Sequence, residues 1–197
     1  SADNHQHSDK GDGATPIGEL YKAQIAAKLD FNIVSDHDSV GNNAKLAVLA
    51  KNGNRPFISS MEVSPGWGHW GILGMDYTKT PISANCTPAE IIKAGHDMGA
   101  LVVVNHPYSD YGFFKNRAGV KGGTDKGSED FDFLELQSTI DLKDAKNMDK
   151  LALDAAMGYW NQGSKKYLSA GSDQHDVTSG LYPGIIRVYA HIDGVVS

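Results

Sequence analysis

Cysteine is nearly absent. The 197 residues contain one, Cys86, which excludes an internal disulfide and any zinc site built on several thiolates. Long apolar runs are missing too: no stretch approaches the about 20 residues that a membrane-crossing helix needs, so no membrane partner is expected. Positive charge is scarce, with 18 Lys and Arg against 24 Asp and Glu and a formal net charge of −6. That balance argues against a broad grip on nucleic acid, which requires a basic face. A small-molecule substrate is the expected partner. One unpaired cysteine fits the cytoplasm or an exported protein equally, so compartment and oligomeric state stay open. The chain opens at Ser1 with no initiator methionine, which suggests removal of a leader, a tag or a preceding domain.

What is present is an ordinary globular composition, 40% hydrophobic and 21% charged, at a length that fits one domain over residues 1–197. The chemistry-bearing residues begin at once, with Asp3-Asn4-His5-Gln6-His7-Ser8. On a strand over residues 2–6, alternate side chains share a face, so His5 and His7 converge. Asp12, in the glycine-flanked turn that follows, can swing a carboxylate back to the same point. Near the other end, Gly171-Ser172-Asp173-Gln174-His175 repeats the spacing with a carboxylate and an imidazole. Between them stand Ser35-Asp36-His37-Asp38, Met61-Glu62-Val63-Ser64, Gly68-His69 and Asn105-His106-Pro107. Most of these stretches follow or end an apolar run that reads as a strand.

Helix patterns alternate with those runs. Thr15-Pro16 opens a helix expected to reach Lys28, with the threonine hydroxyl as cap. Residues 43–52 form the next, closed by Gly53, and Thr87-Pro88-Ala89-Glu90 is a capping box. Leu101 to Val104 reads as a strand buried on both faces. Trp70 to Met75 should pair with the strand before it, because the connection is too short for a helix. Phe131 to Gln137 and Gly184 to Ala190 are further expected strands, and residues 143–161 the longest helix. The glycine-rich segment 108–130 interrupts the rhythm and is read as a lid; its Lys115 and Arg117 are candidates for binding a substrate phosphate. Ligands at successive strand ends imply a mainly parallel sheet that closes, gathering them over one mouth.

These residues resemble the polymerase and histidinol phosphatase (PHP) superfamily of metal-dependent hydrolases, with the matching pieces in family order along almost the whole chain. The form around Glu62 and His69 looks closest to the branch that includes carbaryl hydrolases. The resemblance implies an α/β fold, a distorted seven-stranded βα barrel with its metal site at the carboxyl ends of the strands. It also implies a trinuclear centre: His5, His7, Glu62 and Asp173 for one metal, Glu62, His106 and His69 for a second, and Asp12, His37 and His175 for a third. Mixed imidazole and carboxylate donors suit two or three divalent ions of zinc, manganese or iron. Asp36 and Asp38 are expected to orient imidazoles, and Glu135 to pair with a base inside the barrel.

The expected activity is phosphoester hydrolysis by a hydroxide shared between two metals, with Asp173 managing the proton. Two alternatives stand beside it: hydrolysis of a carbamate or aryl ester, favoured by Trp67, Trp70 and the aromatic lid, and a non-catalytic module stabilised by its metals.

Overall fold

The computed structural model describes residues 1–136, 142–180, 182–191 and 193. Six strands form one sheet in chain order: β1 (Asn32–Val34), β2 (Phe57–Val63), β3 (Trp70–Leu73), β4 (Leu101–Val104), β5 (Phe133–Glu135) and β6 (Tyr167–Ser169). The sheet is mixed, whereas a mainly parallel one was expected. β3 is the cause. The link over residues 64–69 is too short for a crossover helix, so β3 returns antiparallel to β2, with Glu62 opposite Gly71. β4 runs antiparallel to β3 and so regains the direction of β2, after which β4, β5 and β6 are parallel.

The two chain ends differ from expectation. Residues 2–6 make isolated bridges, Ala2 with Val188 and Gln6 with Gln174, and the run 184–190 contributes only that Val188 bridge. The described residues thus form six strands, not seven. The N-terminal segment is held on both flanks nonetheless. Ser35 N donates to Gln6 O at 2.9 Å on one side, while on the other His7 N donates to Gln174 O and Asp173 N to His5 O, each at 2.9 Å. Polar side chains fill the gaps that ladder bonds would occupy. Buried Asp3 accepts from Ser172 N (2.9 Å) and Gly184 N (2.7 Å).

Five helices flank the strands: α1 (Ile17–Ala26), α2 (Asn43–Asn52), α3 (Pro88–Asp97), the single-turn α4 (Phe113–Asn116) and α5 (Leu142–Asn161). The expected cap of α1 is used elsewhere: Thr15 Oγ1 accepts from Val177 N at 3.0 Å, tying the helix entry to the loop after His175. The box at α3 forms, with Thr87 N and Thr87 Oγ1 both donating to Glu90 at 2.7 Å. Its apolar face, Ile91 and Ile92, packs with Met61, Val63, Trp70, Ile72, Val102 and Val104 in the larger core cluster. Each such side chain contributes roughly 1.5–3 kcal/mol by leaving water. Ile17, Leu20, Val34 and Leu46 form a second cluster under α1 and α2.

The segment 108–130 folds onto this core. Phe113 is fully buried, and Gly68 admits it, since a Cβ there would lie 2.8 Å from Phe113 Cα. No helix among the described residues is long and apolar enough to cross a membrane.

Candidate metal centre

The backbone brings the distant motifs to one edge of the sheet. The bridge between His37 and Glu62, with Asp38 N donating to Glu62 O (2.8 Å), extends the β1–β2 ladder and sets the imidazole beside the carboxylate. Asn105 N donates to His69 O (3.1 Å), placing the ends of β3 and β4 together. Asp173 N to His5 O and Ala14 N to His175 O (2.7 Å) lock the last motif against the first and carry the Asp12 turn alongside. His106 and Asp173 sit at φ 27° and 52°, left-handed conformations that cost energy and that persist only where the surroundings impose them.

Glu62 lies at the middle. Its Oε1 is 3.2 Å from His5 Nε2, 3.3 Å from His69 Nδ1 and 3.4 Å from His106 Nε2. Its Oε2 is 2.9 Å from His37 Nδ1 and 3.6 Å from His7 Nε2. Asp173 Oδ1 is 3.2 Å from His5 Nε2 and 3.0 Å from His7 Nε2. At the outer side Asp12 Oδ1 approaches His175 Nε2 (3.1 Å) and His37 Nε2 (3.6 Å). All nine candidate ligands therefore converge. Four groups each offer donor atoms within 4.8 Å of one another: His7, Asp12, His37 and His175; His5, His106 and Asp173; His5, His7 and Glu62; His37, Glu62 and His69.

The electrostatics are those of a site made for cations. Burial works against a charged His5, but Glu62, Asp173 and Glu135 around it raise its proton affinity well above the ordinary value. Burial likewise opposes ionisation of Glu62, and His5, His106 and His37 overcome it, holding the carboxyl well below its usual range. Burial pushes His7 down to about 4, leaving a neutral imidazole with a free lone pair. The donor set fits divalent metals. His5 Nε2, His7 Nδ1, Glu62 Oε2 and His69 Nδ1 are buried without a hydrogen-bond partner, a costly state that a coordinated cation would relieve.

A surrounding layer fixes these groups. Glu135, buried at the end of β5, lies 3.0 Å from His5 Nδ1 and accepts from His106 N at 2.7 Å, so it pairs with an imidazole. Asn105 Nδ2 donates to Glu62 Oε1 (2.8 Å) and Ser109 Oγ meets His106 Nδ1 (2.9 Å). Asp36 and Asp38 hold loops instead of imidazoles: Asp36 accepts from Ser8 N and Ser8 Oγ (2.6 Å each), and Asp38 from Ser64 N (3.0 Å). Ser64 Oγ then contacts His37 Nδ1, so Asp38 acts on the ring at one remove. No sequence pattern marks Asn105 as a partner of Glu62 or Tyr111 as a neighbour of His69, since an Asn or Tyr carries no spacing signal.

The aromatic and basic candidates are placed as follows. Trp70 is buried, and Trp67 packs edge-on against Trp70 and Phe113. Lys115 is ion-paired with Asp110, and Arg117 with Glu129 at 2.6 Å. To reach a phosphate, either would first release its partner. His96 lies on α3, 2.9 Å from Asp132, and His191 is exposed.

No family model matches the sequence. A 3',5'-nucleoside bisphosphate phosphatase of Chromobacterium violaceum is 31% identical over 86 residues, which are 42% of this chain and 30% of that protein. Among solved structures, an amidohydrolase from Chromobacterium violaceum with bound sulfate and no metal superposes with a TM-score of 0.69 at 17% identity, over 95% of this chain and 91% of that one. A two-domain protein from Bacteroides vulgatus containing a predicted PHP-like metal-dependent phosphoesterase gives 0.65 at 14% identity, over 91% of this chain and 53% of that one. These likenesses establish a shared fold.

Proposed function

We propose that this chain is a metal-dependent phosphoesterase of the PHP type. The observation that carries the reading is the convergence of nine histidine, aspartate and glutamate side chains, several with orphaned buried donor atoms, at one sheet edge. The partial match to a bisphosphate phosphatase and the fold shared with a PHP-like phosphoesterase support it. His5, His7, Glu62 and Asp173 would hold one cation, Glu62, His69 and His106 a second, and Asp12, His37 and His175 a third. Bonding of the N-terminal segment on both flanks favours reading it as the seventh member of a closed barrel. The segment 108–130 would cover the mouth.

Cations bound there supply a water activated near neutral pH and positive charge for the phosphoryl oxygens. The chain's residues do the positioning. Glu62 presents its two oxygens to different histidines, which suits it to be shared between two cation sites. Asp173, partly open to solvent and beside both His5 and His7, is placed to accept the proton released by the attacking water. His175 and Asp12 are more exposed, which suits them to the side on which the leaving oxygen would depart.

A second reading directs the same water at a carbamate or aryl ester, as in carbaryl hydrolases; exposed Tyr111 beside His69 favours it. Protein loaded with manganese or zinc is assayed on p-nitrophenyl phosphate, bis-p-nitrophenyl phosphate and naphthyl carbamate. Turnover of a phosphate, abolished in a folded His7→Ala variant, is expected. Turnover of the carbamate alone contradicts the proposal.

A further inference from the structure

Tyr111 is an exposed aromatic side chain, 56% accessible, whose ring stacks on that of His69 with centroids 5.2 Å apart and planes at 16°. Its place is built. Its carbonyl accepts from His69 N (3.0 Å), and the preceding carbonyl, of Asp110, accepts from Asn116 Nδ2 (2.8 Å). Ser109 N donates to His106 O and Gly112 N to Ser109 O, closing a tight double turn directly after His106. That turn admits no side chain at residue 112, where a Cβ would lie 2.4 Å from the Pro107 carbonyl. The backbone of Tyr111 is therefore tied to His69 and to the turn that follows His106, and its ring lies on the His69 imidazole with much of its surface in water. Exposed aromatic area costs free energy, and a ring lying on a candidate ligand offers a flat apolar platform beside the polar centre. Phe113 and Trp70 are fully buried and Trp67, Tyr108 and Phe114 half-buried, so Tyr111 is the most exposed ring of this cluster.

We infer that Tyr111 is a specificity-determining residue, and that the substrate is a phosphomonoester of an alcohol carrying an aromatic ring that packs against it. This rests on the phosphoesterase reading. Hydrolysis breaks the P–O bond to that alcohol; the water's oxygen goes to phosphorus and its proton to the departing alkoxide, so inorganic phosphate and the free alcohol result.

Benzyl phosphate and propyl phosphate test it, because both leave as primary alkoxides and differ chiefly in the ring. The metal-loaded protein should have a kcat/KM for benzyl phosphate well above that for propyl phosphate. Tyr111→Ala should lower the benzyl to propyl ratio by about tenfold, chiefly through the KM for benzyl phosphate, and Tyr111→Phe should keep it. An unchanged ratio in Tyr111→Ala, or equal use of both esters by the parent protein, overturns the inference and leaves the phosphoesterase reading standing. Loss of bound metal from Tyr111→Ala with the ratio kept shows a ring that only shields His69, and also overturns it. No turnover of any phosphate ester overturns both.

Discussion

Replacing Glu135 with glutamine should weaken metal binding by about 10- to 100-fold without unfolding the protein. The carboxylate is buried, with Oε1 3.0 Å from His5 Nδ1 and Oε2 2.7 Å from His106 N. Both partners present N–H groups when His5 turns Nε2 toward Glu62, and only a carboxylate offers each an acceptor. Glutamine keeps the shape but turns an NH2 toward one of them, so one bond is lost and two donors face each other. A hydrogen bond to a charged group is worth about 1.5–3 kcal/mol. The lower end of that range corresponds to roughly tenfold in affinity and the upper end to above a hundredfold. The loss falls on His5, whose ring would turn and whose basicity would drop, and on the backbone that positions His106. Competition with a chromophoric chelator measures the affinity, and far-ultraviolet circular dichroism checks the fold. An affinity within twofold of the parent protein would refute the claim that Glu135 orients the centre.

Three further outcomes are expected. Gly171→Ala should destabilise the fold by about 1–3 kcal/mol and reduce metal retention, because the new Cβ would meet His5 Cβ at 2.3 Å and His5 N at 2.6 Å; calorimetry and elemental analysis read the two effects. Removal of metal with a chelator should lower the melting temperature and re-addition of manganese restore it, a cation at 100 times its Kd being worth about 2.7 kcal/mol of stability. Thr87→Ala removes the α3 capping box, whose bonds lie within residues 87–90. It should cost about 1 kcal/mol and shift the melting temperature by about 2–4 °C, with metal content unchanged.

The candidate centre was largely legible in the sequence, because its ligands sit where strands end and obey the strand period. His5 with His7 and Asp173 with His175 announce themselves by spacing, and Glu62, His37 and His106 by following apolar runs. Helices with strong local signals, such as α3 behind Thr87-Pro88, could be placed the same way. What local pattern does not carry is who lies next to whom. The Thr15 hydroxyl reads as a helix cap but bonds Val177, far along the chain. Asp36 reads as a partner for an imidazole but is taken by Ser8. The run 184–190 has strand composition yet makes one backbone bridge, Val188 with Ala2, beside which the Asp3 carboxylate accepts from the Gly184 amide. Strand number and the partners of Asn105 and Tyr111 depend on such long-range choices.

On the proposed reading, these side chains together hold divalent cations at one sheet edge. Elemental analysis of the protein equilibrated with manganese or zinc and then dialysed tests it most directly, with a Glu62→Ala, Asp173→Ala variant beside it. Two or three equivalents per chain are expected for the parent, and a loss of most of them in the variant. Parent protein that emerges free of metal, or a variant that keeps the full complement, would contradict it.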